Sequence, residues 1–163
     1  MKVSKILLPA ILVLLILAGN IFTTVAQKTS PEQEAAIKNL VDNQRFIFYA
    51  ESATPLSGKP GFLSPGYVFS VSKDSLTSDL PYFGRVYSAP INATEGGIKF
   101  TSTQFDYTYS AKKGGGWEIS IKPKDVQDAQ KFFLTIYENG KAYLQASSNS
   151  RQSITFNGYI AEK

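Results

Sequence analysis

The chain has 163 residues, 17 of them basic and 13 acidic, with neither cysteine nor histidine. Those two absences exclude a disulfide framework, a thiolate nucleophile, a cysteine or histidine metal site and a Ser-His-Asp triad. Aromatic residues at 13% and charged residues at 18% describe a chain with a packed core rather than a disordered one, and the length favours one domain.

The N-terminus has its own grammar. Lys2 and Lys5 precede an uncharged apolar run over residues 6–18, Gly19-Asn20 ends it, and Thr24-Val25-Ala26 supplies small residues. This pattern predicts a secretory signal peptide over residues 1–26, cleaved between Ala26 and Gln27. The run is shorter than the ~20 residues of a spanning helix, which favours cleavage over a retained anchor. The membrane is then met only through the signal peptide. Without cysteine there is no lipid anchor of the bacterial lipoprotein kind. Loss of Lys2 and Lys5 lowers the net charge from +4 to +2, which leaves no electrostatic footprint for nucleic acid. The expected location is the periplasm or the exterior of a bacterial cell, with residues 27–163 forming a single β domain.

Ser30 before Pro31, with Gln33 three residues on, reads as a helix N-cap and capping box. Ala36, Ile37, Leu40 and Val41 recur at helical spacing, so a short helix is predicted over 31–43. From Arg45 the period becomes that of strands. Phe46 to Ala50 is a dense strand-like run, residues 55–66 read as a loop, and Tyr67, Phe69 and Val71 alternate with polar or smaller neighbours. A brief strand is predicted around 75–78 and another over 85–89, ending at Pro90. Beyond Gly96-Gly97, alternation is regular in Ile98/Phe100, Phe105/Tyr107/Tyr109, Trp117/Ile119/Ile121, Phe132/Leu134/Ile136, Ala142/Leu144/Ala146 and Ile154/Phe156/Ile160. Lys112-Lys113-Gly114-Gly115-Gly116 and Asn139-Gly140 are hairpin connections, and Gly158 marks a bulge. One helix followed by about 8–10 short strands is a mainly β chain. It forms an antiparallel meander that closes as a barrel, the alternative being an α+β sandwich.

The segment 74–100 is the least periodic part. Asp79, Pro81, Tyr82, Phe83, Gly84 and Arg85 crowd together there. Two roles compete for it: a proline–glycine turn in which Tyr82 and Phe83 plug a barrel end and Arg85 pairs with a carboxylate such as Asp79, or an exposed recognition surface. Phe105, Tyr107, Tyr109 and Trp117 form an inward aromatic stripe, which either fills a core or lines a ligand cavity. Asp74, Asp79, Glu95 and Asp106 are the carboxylates available for histidine-free glycoside hydrolysis. Asp125 and Asp128 lack the oxygen-rich spacing of a calcium loop, and the lysine–glycine hairpin lacks the following helix of a phosphate cradle.

Ser78-Asp79-Leu80-Pro81-Tyr82-Phe83-Gly84-Arg85, then Ala89-Pro90, Gly96-Gly97-Ile98-Lys99-Phe100 and Ser150-Arg151-Gln152-Ser153-Ile154 together resemble the signature of DUF4251. This is a bacterial domain family of unknown function found largely in Bacteroidetes. The resemblance spans residues 41–160. It implies a secreted or periplasmic protein with a lipocalin-like barrel, and no reaction, cofactor or catalytic residue. In that lineage Asp74-Ser75-Leu76 also matches a periplasmic O-glycosylation tripeptide. The expected function is a non-enzymatic ligand-binding or envelope-accessory module, taking a small apolar or glycan-like ligand or an envelope protein. The alternatives are a carboxylate hydrolase of envelope glycans and a purely structural interaction module. No cofactor and no metal are expected.

Overall fold

The computed structural model describes residues 29–87, 96–126 and 130–163. The predicted cleavage position at Ala26 and Gln27, the end of the predicted strand at Ala89 and Pro90, Glu95 and Asp128 lie outside the described residues.

Helix α1 spans Pro31–Asp42. Ser30 is extended, and its hydroxyl accepts the Gln33 N–H at 3.2 Å, satisfying one of the donors a helix start leaves open. The other end closes on a residue that is not glycine. Gln44 takes a positive φ of 51°, its N–H bonds to the Val41 carbonyl and that of Arg45 to Leu40. This is the double bond of a Schellman stop. Ile37 and Val41 are the face the helix buries.

The strands are β1 (Phe46–Pro55), β2 (Gly61–Phe62), β3 (Val68–Val71), β4 (Leu76–Leu80), β5 (Ile98–Ser102), β6 (Phe105–Ala111), β7 (Trp117–Pro123), β8 (Gln130–Ile136), β9 (Lys141–Ser148) and β10 (Ile154–Glu162). They form one antiparallel sheet in the order β5-β4-β3-β1-β10-β9-β8-β7-β6, with the short β2 also on β1. Every neighbouring pair is antiparallel, so directions alternate along this path of nine. The two edge strands, β5 and β6, therefore run the same way. Only Thr103 and Gln104 separate them in sequence. They are two halves of one bent strand, pairing with β4 before the bend and with β7 after it. Counted once, the bent strand makes an eight-stranded up-and-down sheet whose first and last strands pair. The sheet is thus nearly closed into a barrel, joined at its seam by the covalent chain.

Asp125 holds the bend. Its carboxylate accepts the Ser102 hydroxyl, the Thr103 N–H at 2.9 Å and the Gln104 N–H at 3.3 Å, while the Lys124 N–H bonds to the Gln104 carbonyl at 2.7 Å. The Ser102 hydroxyl and the Thr103 N–H hold this carboxyl below the ordinary value of 3.8, because each favours the charged form. A carboxyl depressed in the folded state stabilises above its unfolded value and loses that contribution as pH falls from there through the folded value. Asp125→Ala is accordingly expected to lower the melting temperature at neutral pH. The gap to wild type should narrow as pH falls below 3.8. Thermal scans across this range check it; a gap that does not change with pH would contradict it.

The interior is filled. Phe69 on β3 and Phe132 on β8 stand four strands apart along the sheet, yet their ring centroids are 4.7 Å apart. Phe100 on β5 meets Phe132 at 5.6 Å. Opposite walls touch through these rings, as an eight-stranded barrel permits, since its interior is just wide enough for side chains to fill. Phe46, Phe48, Leu80, Ile121, Ile136, Leu144 and Phe156 complete the core with no exposed surface. The polar Ser78 is also buried; its hydroxyl donates to the Ile98 carbonyl at 2.6 Å.

Candidate functional site

The segment from Asp79 to Arg85 divides into parts that build and parts that face outward. Asp79 sits on β4 opposite Lys99 of β5, with the ammonium 3.5 Å from its carboxylate. The expected Asp79–Arg85 pair is replaced by this cross-strand pair, because β4 and β5 bring the lysine into register with the aspartate. Pro81 is buried. Tyr82 is half-buried and its hydroxyl lies 2.8 Å from both the Arg85 and the Gln152 carbonyls, with the Arg151 guanidinium over its ring at 5.2 Å. Gly84 leaves room for this fold-back, since a Cβ there would collide with the Tyr82 hydroxyl. Tyr82 therefore ties its own turn to the β9–β10 connection. Phe83 does not plug the barrel. It is 57% exposed, with Val86 and Tyr87 also exposed beyond it.

Residues 85–87 lie against that same connection. Val86 bridges to Arg151, the Gln152 N–H bonds to the Arg85 carbonyl, and the Tyr87 N–H to Ser150. Of the strand predicted at 85–89, the described residues 85–87 make this single bridge.

The aromatic stripe also divides. Trp117 is buried, and Phe105 and Tyr107 pack against the core. Tyr109, at the far end of the edge strand, is 46% exposed and does not line the interior. Both tyrosines tether the helix: Tyr107 donates to the Val41 carbonyl at 3.2 Å and Tyr109 to the Asp42 carboxylate at 2.9 Å. Burial pushes the Tyr107 phenol well up. The bond to Asp42 raises that of Tyr109, while Lys38, and then Tyr109, hold the Asp42 carboxyl down.

Among the described residues no group of His, Cys, Asp or Glu is arranged to hold a metal ion. The candidate carboxylates are dispersed and engaged: Asp79 with Lys99, Asp106 with Lys124, and Asp125 at the bend. Asp74 and Ser75 belong to the tight β3–β4 turn, where the Ser72 N–H bonds to the Ser75 carbonyl at 2.8 Å.

The outer face carries a second aromatic group, apart from the inward stripe. Tyr49 on β1 lies directly opposite Tyr159 on β10, and Tyr159 opposite Lys141 on β9. One row below, Asn157 faces Tyr143, and Tyr143 faces Thr135. The Tyr49 and Tyr159 rings stack at 5.3 Å and 18°. Tyr137, Tyr143 and Tyr159 line a groove of about 520 Å³, together with Ala142 and Gly158. The ladder shifts between Ala50 and Ser52, so Glu51 is an extra residue on β1 at the level of Gly158. A Cβ on Gly158 would run into the Tyr49 carbonyl oxygen. The predicted bulge exists, with the extra residue on β1 and the glycine opposite it. The signal for the groove was in the sequence: Tyr143 stands between the inward Ala142 and Leu144, and Tyr159 precedes the inward Ile160.

A nearly closed up-and-down antiparallel barrel with a filled interior, lidded by one short helix, is the class of fold these strands define. The chain belongs to the family described as Domain of unknown function (DUF4251), whose model matches residues 28–160. Among solved structures it is similar to a DUF4251 family protein from Bacteroides eggerthii DSM 20697, at 18% identity and a TM-score of 0.61, over 80% of this chain and 88% of that one. At that identity the likeness concerns the fold. No curated protein matches.

Proposed function

We propose that the chain is exported, loses residues 1–26, and acts as a non-catalytic accessory module of the cell envelope that engages its partner or ligand through the outside of the barrel. The contact of Phe69 with Phe132 across the interior, at 4.7 Å, carries this reading. The up-and-down order is the one lipocalins share, but a lipocalin-like uptake of an apolar molecule needs the volume that these rings occupy. Hydrolysis of envelope glycans by a carboxylate pair has less support, since Asp79 and Asp106 each face a lysine.

Native mass spectrometry of protein taken from the periplasm of its own host tests the proposal. The expected species begins at Gln27 and carries no tightly held apolar molecule. A stoichiometric apolar adduct that survives gel filtration would contradict the outer-surface reading, and a retained N-terminus would contradict cleavage after Ala26.

A further inference from the structure

We infer that the tyrosine-walled groove on the outer face of β8, β9, β10 and β1 is a binding site for a neutral oligosaccharide. The inference rests on the proposal that this protein works from its outer surface. Three observations select the ligand class.

The first is the ring arrangement. Tyr137 and Tyr159 are exposed and Tyr143 is half-buried, so three phenol rings border one hollow on the solvent side of a sheet. Tyr159 is held by its stack on Tyr49, so little side-chain freedom remains to be lost on binding. Tyrosine presents an apolar face and a polar rim. A sugar ring matches this with apolar C–H faces and hydroxyls at its edge.

The second is the pairing of the strands that carry the lining. β9 and β10 are paired on both sides along this stretch. Their backbone groups are used in ladders, which leaves no open strand edge for a peptide to extend. Polar recognition falls to side chains: the amide of Asn157, the hydroxyl of Thr135 and the carboxylate of Glu51. Amides and hydroxyls both donate and accept, as vicinal sugar hydroxyls require.

The third is charge. Within the lining Glu51 is offset by Lys141, and the Lys112 ammonium beside the groove lies over the Tyr137 ring at 5.8 Å, so the lining itself is neutral. The volume of about 520 Å³ falls within the range of small-molecule sites.

The test is a titration of the ¹⁵N-labelled exported protein with maltohexaose, cellohexaose, mannohexaose and chitohexaose at millimolar concentration, followed by amide shifts. At least one saccharide is expected to move the amides of Tyr137, Tyr143, Asn157 and Tyr159. Tyr159→Ala and Tyr143→Ala should each weaken that binding about tenfold, the equivalent of roughly one aromatic contact. Their spectra report whether the fold is kept, and Tyr109→Ala, on another surface, should bind as wild type does. Shifts confined to residues 83–87 would overturn the groove and leave the outer-surface reading standing. Shifts centred on Phe69 and Phe132 would overturn both. No shift with any of the four overturns the saccharide assignment alone.

Discussion

Replacing Phe132 with alanine is expected to reduce the free energy of unfolding by about 3–5 kcal/mol, the usual cost of emptying a buried aromatic site. Phe132 has no exposed surface, and it is the ring that both Phe69 and Phe100 touch. Its removal cuts the contact between opposite walls, and the walls are held apart by their own ladders, so they cannot collapse to fill the space. Urea unfolding should show a lower midpoint with an unchanged slope. The resulting void would be apolar and dry, and such voids accept small apolar molecules. Benzene should therefore raise the melting temperature of Phe132→Ala and leave wild type unmoved. A loss below about 1 kcal/mol would mean that the ring does not bridge the barrel, because even partial loss of such burial exceeds that.

Gly158→Ala is expected to be nearly as damaging for so small a change, at about 3 kcal/mol, the upper end of overpacking effects. The added methyl group meets the Tyr49 carbonyl oxygen, and β1 and β10 are the first and last strands, whose pairing completes the barrel. The bulge at Glu51 draws the β1 backbone in so closely that only a hydrogen fits. Gly61→Ala is the control. A Cβ there meets nothing within 4 Å, and the change should stay within about 0.5 kcal/mol. Equal effects at the two glycines would contradict the geometry assigned to the bulge.

Much of the fold was legible from local pattern. Ser30-Pro31 with Gln33 announces the helix start, and the Ser30 hydroxyl caps it as expected, but the Gln33 side chain donates to the Asn139 carbonyl at 3.2 Å instead of closing the capping box. Asn139-Gly140 announces a hairpin, and Gly140 takes the positive φ of 81° that the turn demands. Alternation from Ile98 to Ile160 predicts most of the side chains that face inward, because a pleated strand sends neighbours to opposite faces; it fails at Tyr109, which is exposed at the end of β6. What alternation cannot carry is pairing across long sequence distances. Nothing in Ser102-Thr103-Gln104-Phe105 says that two strands are halves of one bent strand, or that Asp125 secures the bend from 22 residues away. Asp79 and Lys99 are matched by register alone, which sequence proximity to Arg85 hides.

The segment 79–85 looked unusual for a sound reason, but the reason is backbone geometry. Pro81 is buried, and Gly84 gives way to the ring of Tyr82, whose hydroxyl ties the turn to residues 151–153 of the next connection through Gln152. Special residues at that spacing signal a demanding turn as readily as a site. The tyrosine groove was masked by the opposite bias. Outward residues on strands are read as solvent-facing filler, and three tyrosines from three different segments show no clustering until the ladder places them side by side.

The most direct measurement is the set of nuclear Overhauser contacts among the phenylalanine rings in a selectively labelled sample. With centroids 4.7 Å apart for Phe69–Phe132 and 5.6 Å for Phe100–Phe132, strong ring-to-ring contacts are predicted for both pairs. Their absence, with the strand ladders intact, would show a hollow barrel and contradict a protein that works from its outer face.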